Sequence, residues 1–137
     1  MKPTLQAGLS TETSFTVDRE RTIDFMGEAA RVYATPVLVR DIEVVCRNLL
    51  FTHLDPGEDS VGTRVEIDHL AATPLGVKVT LAVRVAEIKG RVVTFEIEGR
   101  DAVEPIVRGR HARFVVDVAK TGERIAAKTA KARAAQG

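Results

Sequence analysis

The 137-residue sequence contains one cysteine, Cys46, and no tryptophan. A single thiol excludes an intramolecular disulfide framework and argues against a cysteine-based zinc site. His53, His69 and His111 are the only histidines, too few for a His-rich metal centre. Aromatic residues make up 4% of the chain, so platforms for stacking bases or sugars are scarce. Neither sign of charge dominates: 20 Lys+Arg stand against 19 Asp+Glu, a net +1. That balance argues against a protein that coats nucleic acid. No apolar run approaches the ~18 residues of a bilayer span. The first residues, Met-Lys-Pro-Thr-Leu-Gln-Ala-Gly, lack the apolar core of a secretory signal. Together these absences predict a reduced, cytoplasmic protein with neither a membrane nor a nucleic-acid partner and no bound metal.

What is present suits a folded domain. Hydrophobic residues are 45% and charged residues 28%, outside the range of disordered chains. The length fits a single domain, 1–137, in which 119–137 is a basic tail or a short surface helix. Thr13 to Val17 reads as a first strand. Arg19 to Ala30 reads either as a short helix or as a lid-like loop. Thr35-Pro36 predicts a helix start, with Thr as N-cap and Pro at the first helical position. Leu38, Ile42, Val45 and Leu49 then follow helical spacing to about Leu54, where Asp55-Pro56-Gly57 ends the helix. Val61–Ala71 and Val77–Glu87 alternate as strands, Lys89-Gly90-Arg91 reads as a hairpin turn, and Val92–Gly99 returns. Ile106–Val118 is a final strand with Gly109 as a possible bulge. One long helix before at least four antiparallel strands predicts an α+β fold, a sheet wrapped against the helix.

Four places draw chemical attention. Glu43 shares a helical face with Val39, Cys46 and Leu50. It is either partly desolvated there or at the stripe's edge. His69 falls on the side of Val61–Ala71 that carries Val61, Thr63, Val65, Ile67 and Ala71, opposite Gly62 and Arg64. An acid and an imidazole entering one sheet–helix interface would suit acyl-transfer chemistry. Thr35 caps the helix or marks a site at its N-terminus. It lies eight residues from Glu43, about 12 Å along a regular helix, so a shared site needs a bridging substrate, a bend or a second subunit. Finally, Arg108, Arg110, His111 and Arg113 surround Gly109, either as a solvated edge or as a phosphate contact. Cys46 reads as inert packing.

Val32-Tyr-Ala-Thr-Pro, Glu43, Leu54-Asp-Pro-Gly-Glu, Val61-Gly-Thr, His69-Leu-Ala-Ala-Thr-Pro and Gly109-Arg-His-Ala-Arg113 together resemble the fluoroacetyl-CoA thioesterase-like branch of hotdog-fold proteins. The likeness runs from about Thr13 to Val118. It implies a long central helix wrapped by a curved antiparallel sheet and a homodimer with sites at the subunit interface. The implied activity is acyl-CoA thioester hydrolysis without a metal or separate cofactor, coenzyme A being part of the substrate. Carried over by position, Thr35, Glu43 and His69 are the catalytic set. Gly62 meets the acyl-thioester, Arg113 binds substrate near the CoA, and His111 lies in the same motif. The family's Phe-rich lid is here Phe25-Met26-Gly27-Glu28-Ala29-Ala30, with one aromatic, which points to a short or medium acyl group other than fluoroacetyl. The rival readings are a non-catalytic acyl-CoA or acyl-carrier binding module and an enoyl-CoA hydratase of the same fold.

Overall fold

A computed structural model describes residues 1–137. In chain order its elements are β1 (Ser10–Thr16), β2 (Thr22–Ile23), β3 (Val32–Tyr33), α1 (Thr35–Phe51), β4 (Glu58–His69), β5 (Lys78–Lys89), β6 (Val92–Asp101), β7 (Pro105–Asp117) and α2 (Val118–Gln136). Five strands form one antiparallel sheet in the order β1-β5-β6-β7-β4, and β2 pairs with β3 apart from it. This is the α+β arrangement that the order of patterns predicts.

Alternation decides which face is covered. Val79, Leu81, Val83 and Val85 of β5 are all buried, as are Val93, Phe95 and Ile97 of β6. They meet the stripe of α1 made by Leu38, Ile42, Val45, Cys46 and Leu50. Each such side chain contributes about 1.5–3 kcal/mol when fully buried, and almost all of this interior is aliphatic.

Six local features depart from the sequence reading or resolve it. Ala34, not Thr35, caps α1, and it offers no side-chain bond. The helix therefore begins one residue early and frees the Thr35 hydroxyl. It also ends at Phe51 rather than Leu54. In β4, Gly62 pairs with Arg113 and Arg64 with the adjacent Ala112, so Thr63 bulges out. The bulge inverts the alternation. Ser60 and Gly62 stand opposite Val115 and Arg113, on the same sheet face as Val65, Ile67 and His69 opposite His111, Gly109 and Val107. Gly62 was expected on the other face from His69, and the extra residue is why it is not.

Gly109, expected to bulge, is a regular ladder residue paired with Ile67 and Ile97. Its reason is proximity: a Cβ there would lie 2.1 Å from the Glu66 carbonyl oxygen. Last, the basic C-terminal stretch is helical. Asp117 caps α2 by accepting from the Lys120 N–H, and no residue of α2 is buried. The ambiguous segment before β3 holds two 3-10 turns, Arg19–Arg21 and Glu28–Ala30. No helix is long and apolar enough to cross a membrane.

Candidate active site

The freed hydroxyl of Thr35 has a specific partner. Thr35 Oγ1 lies 2.7 Å from His69 Nδ1, joining the first turn of α1 to the end of β4. Burial lowers the His69 pKa from its ordinary 6.5, so the neutral imidazole is favoured. The other ring nitrogen, Nε2, is buried and has no hydrogen-bond partner. A buried polar atom without a protein partner costs about 1–3 kcal/mol. Tyr33 sets its ring edge-on to the imidazole, with centroids 6.5 Å apart. The pair opens on a pocket of about 530 Å³ walled by Ile23, Phe25, Tyr33, Pro36, Leu70 and Ala71. No carboxylate, lysine or arginine lines it.

A second cluster lies further along α1. Glu43 Oε2 accepts from Arg113 Nη1 at 3.2 Å. The Arg113 side chain is 5% exposed and that of Glu43 is 44% exposed. Arg113 also donates through Nε to Ser60 Oγ (2.7 Å), through Nη2 to the Ser60 carbonyl (2.9 Å) and through Nη1 to His111 Nε2 (3.1 Å). A guanidinium has no acceptor, so His111 Nε2 carries the lone pair. The ring proton then sits on Nδ1 and is donated to the Arg64 carbonyl at 2.8 Å. His111 is thereby held neutral, and burial, first among its causes, lowers its pKa. The network delivers one fixed positive charge to one carboxylate at the mouth of a pocket of about 590 Å³.

Gly62 is required here by close approach. A Cβ at this position would lie 2.1 Å from Glu43 Oε2 and 3.1 Å from His111 Cε1. Cys46, one turn beyond Glu43, is fully buried, and burial pushes its thiol up to about 12. It is chemically inert in the folded state.

Thr35 and His69 thus stand together, and so do Glu43, Gly62, His111 and Arg113. The two groups line separate cavities within one chain. Glu43 occupies the edge of the apolar stripe. The cationic run on β7 divides by strand alternation: Arg108 and Arg110 are exposed and pair with Asp68 and Glu96, whereas His111 and Arg113 point inward. Ser60 was not singled out from sequence. The signal for it was faint, a small polar residue in phase with Gly62 on the near side of an unseen bulge.

Several known proteins are similar to this chain. The family model described as fluoroacetyl-CoA-specific thioesterase matches residues 17–119. A fluoroacetyl-CoA thioesterase of Streptantibioticus cattleyicolor is 29% identical, with 94% of this chain and 98% of that protein aligned. A crystal structure of a variant of the fluoroacetyl-CoA-specific thioesterase FlK superposes with a TM-score of 0.84 at 29% identity, covering 93% of this chain and 99% of that one. A hot-dog-like protein from Thermanaerovibrio acidaminovorans reaches a TM-score of 0.82 at 24% identity over 93% of each chain. The fold is the hotdog fold that the sequence resemblance implies.

Proposed function

This chain belongs to the fluoroacetyl-CoA-specific thioesterase family, and from that premise we propose that it hydrolyses a short- or medium-chain acyl-CoA to the free acid and CoA. One observation carries the reading. A neutral imidazole, oriented by Thr35 and with an unpartnered buried nitrogen, faces an uncharged pocket of acyl dimensions. Such a wall suits a neutral aliphatic acyl group, and a single aromatic in the segment beside it favours a short or medium acyl group other than fluoroacetyl.

The catalytic set in this proposal is Thr35, Glu43 and His69, completed across a homodimer. Two features support the second copy. β4 is an outer strand of twelve residues whose far edge has no partner. Val44, Phe51, Val61 and Val65, around Glu43, are large apolar residues left exposed. An open, apolar strand edge is a pairing surface. Pairing there brings the Glu43 cluster of one protomer to the Thr35–His69 pocket of the other.

The chemistry follows from the charges. With its Nδ1–H donated to Thr35 Oγ1, neutral His69 presents the Nε2 lone pair as a proton acceptor. Glu43, held in place by Arg113, takes a proton from the attacking water as the carbonyl carbon gains the hydroxyl. Glu43 passes that proton to His69 Nε2, and the imidazolium gives it to the departing CoA sulfur as the C–S bond breaks, which returns both groups to their starting states. Direct attack by Glu43 would pass through an acyl-enzyme, which a burst of CoA and a trapped adduct reveal. Gly62 leaves room for the thioester beside Glu43, and coenzyme A enters only as part of the substrate. The unbridged thiol of Cys46 fits a reducing cytoplasm.

The test is release of free thiol from a panel of acyl-CoAs, with wild type beside Glu43→Ala. Release that depends on Glu43 is the expected result. Binding without release from any thioester would make the protein an acyl-CoA or acyl-carrier binding module. Hydration of an enoyl-CoA without thiol release would make it a hydratase.

A further inference from the structure

Behind the Thr35–His69 pocket lies a charged group that the proposed chemistry does not use. Asp41, on α1 two residues before Glu43, is 8% exposed. One of its oxygens, Oδ2, accepts both from the Tyr33 hydroxyl and from Arg21 Nε, the latter at 2.9 Å. Its other oxygen lies 3.8 Å from Arg40 Nη2. Tyr33 is 1% exposed, and its ring is the one set edge-on to His69. Arg21 belongs to the segment between β1 and β3. It donates from Nη1 to Asp18 at 2.7 Å, and its guanidinium sits 4.4 Å over the Phe15 ring, which in turn packs edge-on to Tyr33. The Arg21 carbonyl accepts from the Ala34 N–H at 2.9 Å. The same segment supplies Ile23 and Phe25 to the pocket wall.

We propose that Asp41 is a positioning residue whose single oxygen ties together two walls of the acyl pocket, the Tyr33 ring against His69 and the Arg21-bearing segment that carries Ile23 and Phe25. The inference rests on the thioesterase reading. Geometry gives it direction. A buried carboxylate needs donors on every side to be tolerated. Here the donors come from two segments that otherwise meet through the short β2–β3 pairing, the Arg31–Thr22 bond and the Phe15 ring. Tyr33 stands two residues before Thr35, so holding its hydroxyl fixes the chain entering α1 and the ring bordering the imidazole. Arg21 fixes where the apolar wall stands. The two arms therefore act on different steps: the tyrosine arm on the orientation of His69, the arginine arm on which acyl groups fit.

The experiment measures kcat and KM separately for straight-chain acyl-CoAs from acetyl to octanoyl, on wild type, Tyr33→Phe, Arg21→Met and Asp41→Asn, with thermal unfolding of each. Tyr33→Phe deletes one oxygen and leaves Asp41 paired with Arg21. It lowers kcat by about tenfold for every chain length with KM nearly unchanged, the scale of a misplaced catalytic group. Arg21→Met leaves the tyrosine bond. It changes KM and flattens the ranking of chain lengths by about fivefold or more, the scale of one or two methylenes of pocket selectivity. Asp41→Asn keeps the volume and shows both effects together. Folded variants whose kcat, KM and chain-length ranking all stay within twofold of wild type would overturn the proposal, Asp41 then being a structural residue only. Should Asp41→Asn fail to fold, the two arm variants decide alone. Wild type without thiol release on any substrate would instead overturn the thioesterase reading.

Discussion

The two clusters on α1 are built on opposite principles. The Thr35–His69 end is uncharged and mostly apolar, with an imidazole whose neutral form is favoured by burial and one nitrogen left free. The Glu43 end is ionic. A buried guanidinium there directs four of its five N–H groups to Ser60, His111 and the carboxylate. The first is shaped to receive an apolar group; the second is shaped to hold a charge still. Thioester hydrolysis needs both, and separating them along one helix lets each environment exist without spoiling the other. A carboxylate in the apolar pocket would lose its charge, and an imidazole beside Arg113 is already fully engaged, as His111 shows.

Removing the ionic end's reactive group should have the largest effect. Glu43→Ala is expected to lower kcat for thiol release by roughly 10³-fold, within the range of a general base, with secondary structure unchanged by circular dichroism. Comparable loss from Arg113→Met would show that the carboxylate works only when held. His69→Ala should cost about 10²-fold in the same assay, with acyl-CoA affinity measured by calorimetry nearly intact.

Stability should discriminate the two ends in the reverse sense. Arg113→Met leaves Ser60 Oγ and His111 Nε2 without a donor, each in a buried setting. We expect a loss of about 2–3 kcal/mol in urea unfolding. Thr35→Val, which empties one bond at a pocket mouth, should cost about 1 kcal/mol or less while lowering kcat. Equal destabilisation by the two would end the contrast between a held charge and an open receptacle.

Gly62→Ala sharpens the comparison from the substrate side. The nearest atom to a new Cβ is the far end of the Glu43 side chain, which can swing away. Activity should fall by about tenfold, the scale of a small misplacement of a reacting group, while the unfolding midpoint barely moves.

The smallest effect is on pH. His69 and His111 both titrate below the ordinary 6.5 in the folded protein. The unfolded chain therefore binds protons more readily between that value and the lower folded ones. Stability is complete above pH 6.5 and declines as pH falls through that window. Urea midpoints at pH 7.5 and 5.5 measure the drop, and His69→Gln or His111→Gln should each remove part of it.

Much of this was legible in the residues. The aliphatic period-two run from Val79 to Val85 and the stripe from Leu38 to Leu50 predict a sheet on a helix because burial is a property of spacing. The family resemblance points to Thr35, Glu43 and His69, but not to how they divide. The misreadings share one cause. A bulge at Thr63 has no mark in the sequence, since the inserted residue is an ordinary strand former, so the phase of β4 on its two sides could not be told apart. Gly109 was read as an irregularity because glycine in a strand means either a bulge or a close neighbour, and only the partner strand decides which. Arg113 read either as part of a solvated cationic edge or as a phosphate contact. Its burial depends on Ser60 and His111, which reach it through sheet pairing rather than through sequence proximity.

Cys46 bears on how such experiments can be run. The chain's single sulfhydryl is sealed beneath the long helix. A chromogenic disulfide reagent added to follow turnover will therefore register liberated coenzyme alone, with no background from the enzyme itself. Prolonged incubation turns the same residue into a clock: its slow modification would time the moments when helix and sheet part beneath the carboxylate.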